Sequence, residues 1–172
     1  MNTINRFHSD LWQVIFSNIP VIYSQDELDL FSSYVRSVII PEYGVNFDES
    51  VFKGRKIQHP ITPKENIELG LLQIDFKLAE NLKNYLYLFD WVYKLRGGIN
   101  VPSIARTWWT EVITVTMLDN QKRTTGYFKF KHAFCNYISP LSLTYGTGEE
   151  LQFTTNFSYE DIEYVSLAEE QE

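Results

Sequence analysis

Hydrophobic and polar residues alternate along several stretches of this chain, and the alternation sets the first expectations. Trp12, Val14 and Phe16 alternate with Gln13, Ile15 and Ser17 and run into Asn18-Ile19-Pro20, which reads as a strand with one fully apolar face ended at a proline. A second extended segment covers residues 31–40 and stops at Pro41, because proline has no N–H to give to a ladder. Residues 42–66 differ: Gly44, Gly54, Pro60 and Pro63 are mixed with Lys53, Arg55, Lys56, Asp48 and Glu49. This predicts a strand pair with a protruding loop. Its isolated Val51 and Phe52 either form a local mini-core or touch another subunit.

The pattern is firmest further on. Leu72, Ile74, Phe76 and Leu78 alternate with Gln73, Asp75 and Lys77, as a half-buried strand requires. The period then changes, with Leu82, Tyr85, Leu86, Phe89, Val92 and Tyr93 recurring at three- and four-residue steps. With Asn81 as cap and Gly97-Gly98 as terminator, this predicts a helix over residues 81–96. Beyond Pro102, Glu111, Ile113, Val115 and Met117 alternate with Val112, Thr114 and Thr116. The polar turn Asp119-Asn120-Gln121-Lys122 leads into Phe128 and Phe130 set against Lys129 and Lys131, an antiparallel hairpin. Leu151, Phe153, Thr155, Phe157 and Tyr159 face away from Gln152, Thr154, Asn156 and Ser158 in the last strand expected. The sum is a mainly β fold, an antiparallel sandwich or barrel of about seven strands with one packed helix.

Composition adds limits. The 172 residues, 44% of them hydrophobic, suffice for one domain with its own core, expected over residues 1–160. The net charge of −7 is not spread evenly, because residues 160–172 hold six acids and no base. Residues 161–172 therefore read as an acidic, solvated tail on a nearly neutral body. No basic patch of the kind that grips phosphates is present, which argues against a nucleic-acid-binding module. No window has the run of about 18 apolar residues that a membrane span needs, and no signal-peptide core follows Met1. Together with the single cysteine, Cys135, this gives the expectation of a protein made in a reducing cytoplasm without a membrane anchor.

Chemistry is sparse. His132 and Cys135 stand three apart, which is half of a zinc site without its other half, and His8 and His59 are isolated. Cys135 between aromatic neighbours reads as a small buried hydrophobe. The paired carboxylates lie in the tail, where solvent keeps acid and base roles from separating. Gly97-Gly98 follows a helix where a phosphate-cradling loop would precede one. No nucleophile, base and oxyanion donor can be named together, so no catalytic, cofactor or metal site is expected. The aromatic stripe Tyr85, Tyr87, Trp91 and Tyr93 reads first as core and second as a partner surface. In the second case Tyr87 and Trp91, four apart, are the outward pair.

The order of elements then carries a resemblance. Tyr34-Val35-Arg36-Ser37-Val38-Ile39-Ile40-Pro41 precedes a variable loop; Leu72-Gln73-Ile74-Asp75-Phe76-Lys77 leads directly into a helix holding Phe89-Asp90-Trp91. Phe134-Cys135-Asn136-Tyr137-Ile138-Ser139-Pro140-Leu141-Ser142-Leu143-Thr144-Tyr145 and Leu151-Gln152-Phe153-Thr154-Thr155-Asn156-Phe157-Ser158-Tyr159 close the chain. These pieces resemble the tail-tube family of contractile bacteriophages over nearly the whole length. The polar segment between Val21 and Phe31 and the acidic tail depart from that pattern.

The resemblance implies a structural virion protein that forms stacked, hexameric rings, assembled in the host cytoplasm and making the inner tube of a contractile tail. It implies sheath, baseplate or neck proteins as partners and double-stranded DNA in transit without specific binding. A terminator or baseplate-proximal ring of the same fold is the nearest alternative. A monomeric carbohydrate-binding β-sandwich using Trp108 and Trp109 is a more distant one. On the same resemblance, Val51, Phe52, Lys53 and Arg55 are candidates for contact between rings, and Tyr87 and Trp91 for the sheath-facing helix surface. Thr114, Thr116, Thr154 and Asn156 are the lumen-facing candidates, although from sequence they equally fit faces turned to sheath or solvent.

Overall fold

The computed structural model describes residues 11–42, 47–53, 55–60, 70–96, 110–142 and 150–167. They form nine strands and two helices. In chain order these are β1 (Trp12–Phe16), α1 (Gln25–Ser33), β2 (Val35–Ile39), β3 (Phe47–Phe52), β4 (Arg55–Pro60), β5 (Leu72–Lys77), α2 (Lys83–Leu95), β6 (Thr110–Leu118), β7 (Thr124–Ile138), β8 (Gln152–Ser158) and β9 (Asp161–Ser166).

The alternating segments pair as the sequence predicts, all antiparallel. The main sheet has the order β1-β6-β7-β8-β5-β2, with β9 added beside β7, and β3-β4 form a separate two-stranded ribbon. Inward residues of each strand are the expected apolar ones: Val14 and Phe16, Ile113 and Val115, Phe153 and Phe157, Leu72, Ile74 and Phe76 are all buried. The sheet is curled on itself. Phe16 on the first strand of the order lies 6.3 Å from Phe76 and 6.0 Å from Phe157 between ring centroids, so the two halves of the sheet face each other across one core. Thr155 is a fully buried polar residue of that core, and its hydroxyl donates to the Ile74 carbonyl at 2.9 Å, so its donor is satisfied.

The bend between the halves sits in β7. Cys135 opposes Phe157 in β8 and Lys131 opposes Asp161 in β9 with the same register offset, so β8 and β9 are two halves of one partner strand running along β7. At the corner His132 takes a left-handed conformation, φ 51°, and the inward parity shifts from Phe130 to Ala133 and Cys135. A non-glycine residue there costs roughly 1–2 kcal/mol. The His132 ring, 2.8 Å from the Glu160 carboxylate, links both halves of the corner.

Two elements differ from the sequence reading. Residues 25–33 are a helix, so the extended segment expected over residues 31–40 begins only at Val35. Leu28 and Phe31 turn inward one turn apart, and Phe31 packs at 5.2 Å on Phe16 and 4.9 Å on Phe76, so α1 lies across the side where the sheet's two ends do not pair. Residues 161–166 are strand β9, not the start of an acidic tail. Ile162 and Tyr164 oppose Phe130 and Phe128, while Lys131 bridges Asp161 at 3.6 Å and Glu163 at 2.9 Å. Lys131 of the neighbouring strand thus pairs with two of the six acids that gave the end of the chain its charge.

The predicted helix is present as α2. Asn81 accepts from the Lys83 amide at 3.1 Å, close to the capping role expected, although the residue at the cap position is Leu82, φ 59°. Buried Asn84 fixes the junction with β5, accepting from the Ala79 amide at 3.0 Å and donating to the Lys77 carbonyl at 2.6 Å. Close approach also fixes the start of β5, since a Cβ at Gly70 would stand 2.7 Å from the Cβ of Pro41.

Candidate functional site

Among the described residues, no group of three histidine, cysteine or acidic side chains is placed to hold a metal ion. Cys135 is buried, and burial pushes its thiol up to about 12, which leaves almost no thiolate at neutral pH. No described helix is long and apolar enough to cross a membrane. His8, Gly97-Gly98, Trp108 and Trp109 lie outside the described residues. What the structure offers is surface, in three parts.

The first part is the β3-β4 ribbon. Val51 opposes Lys56 and Phe52 opposes Arg55, and Lys53 turns the corner with φ 51°, as a tight hairpin loop requires. The four residues expected at a ring contact are therefore together at the end of one hairpin. Val51 is 70% exposed, and Lys53, Arg55 and Lys56 are exposed around it. A two-stranded ribbon is marginal by itself in water; the exposed Lys56–Glu49 pair at 3.3 Å adds little, about 0–1 kcal/mol.

The second part is α2, which is apolar on two sides. Its inner side is Leu88 and Trp91, both 0% exposed, with Trp91 6.0 Å from Phe157 and Tyr85 5.2 Å from Phe153. Trp91 is therefore core and cannot be an outward contact, which corrects that assignment. Tyr87 is half-buried at the α1–α2 junction, where Lys83 pairs with Glu27 at 2.8 Å and lies 5.8 Å from the Tyr87 ring. The hydrogen bond from Lys83, seconded by Tyr87, holds the Glu27 carboxyl below its ordinary range. The outer side is Leu82, Leu86, Phe89 and Tyr93, spaced as one helical stripe; the last three are 53%, 55% and 51% exposed.

The third part is the pair of outward sheet faces. Thr114 and Thr116 are on β6 beside Ile15 and Gln13 of β1 and Lys129 and Tyr127 of β7. Thr154 and Asn156 are on β8 beside Asp75 and Gln73 of β5. Thr114, Thr154 and Asn156 are half-buried, whereas Thr116 is buried and offers little surface; the two pairs belong to opposite halves of the curled sheet, so the structure does not bring them together. Around Asp75 the side chains satisfy one another: Thr154 donates to its carboxylate at 2.7 Å and Ser37 donates to the other oxygen.

The frame that presents these surfaces is an open antiparallel barrel whose edge strands β1, β2 and β9 each pair on one side only among the described residues. No protein-family model matches the sequence, and no curated protein resembles it at the level of sequence. Solved structures do. The chain aligns over 96% of its length with 95% of a chain in the tube-terminating cap of the anti-feeding prophage, at TM-score 0.67 and 9% identity. It aligns over 94% with 93% of a chain in the extended sheath–tube complex of the PVC extracellular contractile injection system, at TM-score 0.64 and 11% identity. It also aligns over 98% with 99% of a chain in the anti-feeding prophage baseplate, at TM-score 0.60 and 15% identity. The chain has the tail-tube fold.

Proposed function

We propose that this chain is a structural subunit of a contractile tail or injection apparatus, closing with copies of itself into a ring, six to a ring, that stacks into a tube around a central passage. The observation that carries this reading is the open barrel with its one-sided edge strands β1, β2 and β9. Unpaired strand edges are a liability for a solitary domain, and closure with sister copies removes them. The end-to-end likeness to chains of contractile assemblies supports the same reading. In a phage tail the cargo is double-stranded DNA, and the assembled particle is the site of action.

The surfaces take roles within that reading. The hairpin end at Val51, Phe52, Lys53 and Arg55 contacts the next ring. The α2 stripe of Leu86, Phe89 and Tyr93 forms the outer wall toward the sheath, replacing Tyr87 and Trp91. A second reading keeps the ring and changes its station: the terminating cap and the baseplate align as fully as the sheath–tube complex, so a single ring at one end of the tube fits the same fold.

Changing Val51 and Phe52 together to Asp tests the stacking. The variant is expected to keep its fold, because the hairpin is a separate two-stranded sheet, and to yield rings that do not stack in electron micrographs. Tubes of ordinary length from that variant would refute the hairpin assignment.

A further inference from the structure

Strands β2 and β5 run antiparallel, with Val35 opposite Phe76 and Ile39 opposite Gln73. At about 3.3 Å per strand residue the two ends of this pair stand roughly 16 Å apart, and they carry different chemistry. At the Ile39 end the chain leaves for β3 and returns from β4, with Gly70 close against Pro41. The hairpin reached from there is basic at its tip, since Lys53, Arg55 and Lys56 are exposed and no acid lies between Val51 and Lys56. Val51 opposes Lys56 and Ile57 opposes Ser50, which puts the two aliphatic residues on opposite faces of the ribbon; they are 70% and 37% exposed. The ribbon joins no other sheet among the described residues, and a two-stranded ribbon needs a further surface to pack on.

The Val35 end holds an open groove between α1 and α2, of about 320 Å³ including the part open to solvent. Buried Phe31 and Ala79 line it, with Leu30 at its margin 53% exposed. Around it stand Asp26 and Asp29 of α1 and Glu80 before α2, all exposed. Two bases of that end are already matched, Lys83 by Glu27 at 2.8 Å and Lys77 by Glu150 at 3.0 Å. Only Arg36, exposed on β2, then stands against the three remaining acids, so the groove keeps an acidic margin.

Resting on the stacked-ring reading above, we propose that the groove between α1 and α2 is the socket for the hairpin tip of a second copy of this chain. Val51 of one copy enters beside Leu30 of the next, and Lys53, Arg55 and Lys56 meet Asp26, Asp29 and Glu80. The apolar part covers surface that both copies otherwise leave in water. The charges set register and reject a wrong approach, since two tips or two grooves brought together repel. Tip and groove belong to opposite ends of the β2–β5 pair, so the contact is head-to-tail. Each copy then offers its tip to one neighbour and its groove to another, and such a contact repeats along an axis instead of closing on a pair.

Cross-linking and charge reversal test the socket together. The native Cys135 is buried, so Val51→Cys and Leu30→Cys, both at exposed positions, supply the reactive thiols. The assembled double variant is treated with a short bismaleimide and imaged in the electron microscope. Linked chains running past the number in one ring are expected on a denaturing gel, while either single variant stays unlinked. Separately, Lys53, Arg55 and Lys56 are all changed to Glu, or Asp26, Asp29 and Glu80 all to Lys. Each reversal alone is expected to give rings that do not stack, and the two reversals in one chain to restore tubes. Tubes without linked chains, ordinary stacking by the groove reversal, or a combined variant that stays as single rings overturns the socket. Rings of the unchanged chain that never stack overturn it too and leave the ring standing. Micrographs of the unchanged chain without rings overturn the assembly reading beneath it.

Discussion

Replacing Trp91 by alanine should cost about 3–5 kcal/mol of stability, the range for removing a large aromatic from a packed core. That is a substantial share of the roughly 5–15 kcal/mol that holds a domain together. The indole has no solvent exposure and rests against Phe157, which also packs on Phe16 across the core. Its loss therefore opens a cavity where α2 and both halves of the sheet meet. Phe89→Ala, on the same helix but more than half exposed, should move the urea midpoint little, by less than about 1 kcal/mol. Equal midpoints for Trp91→Ala and the unchanged chain would contradict the inward placement of α2.

Changing Leu86 and Phe89 together to Asp should produce the opposite pattern, a stable subunit with a lost partner. Both side chains lie on the exposed stripe, so folding loses little when they become charged. Buried aromatic anchors in an interface are typically worth about 2 kcal/mol or more each, close to 30-fold in affinity, and two carboxylates buried against an apolar partner cost further. Tubes of this variant should form and fail to retain sheath in co-sedimentation. Full sheath retention would remove α2 from the outer wall.

The contrast between these two variants marks what sequence discloses and what it does not. Strands β5 and β8 were legible because their inward and outward residues alternate without interruption. α2 was legible as a helix, but not in its orientation. Leu82, Leu86, Phe89 and Tyr93 make as good a stripe as Asn84, Leu88 and Trp91, and a helix apolar on two sides does not announce which side is core. The polar Asn84 weakened the true inner stripe, although its amide is consumed by the β5–α2 junction.

The two missed elements failed for different reasons. α1 buries only Leu28 and Phe31, too few to stand out, and Ser24-Gln25-Asp26-Glu27 was the available signal, since Ser followed three residues later by Glu marks a helix start. In the structure Glu27 pairs with Lys83, far along the chain, and Ser24 makes no side-chain cap bond. β9 carries Asp161 and Glu163 on its outward side, and a count of charge hid the alternation of Ile162 and Tyr164 with them. Lys131 supplies the compensation, and only pairing with β7 reveals it. Likewise, alternation marks Thr114 and Thr154 as outward without saying that their faces are opposed; that follows from the curl recorded by Phe16, Phe76 and Phe157.

The central claim is that the outer strands of the barrel are completed by sister copies. Native mass determination of the purified chain across a concentration series tests it most directly. A closed species of six chains, present without any partner protein, is the predicted result. A single-chain species at every concentration would contradict the account.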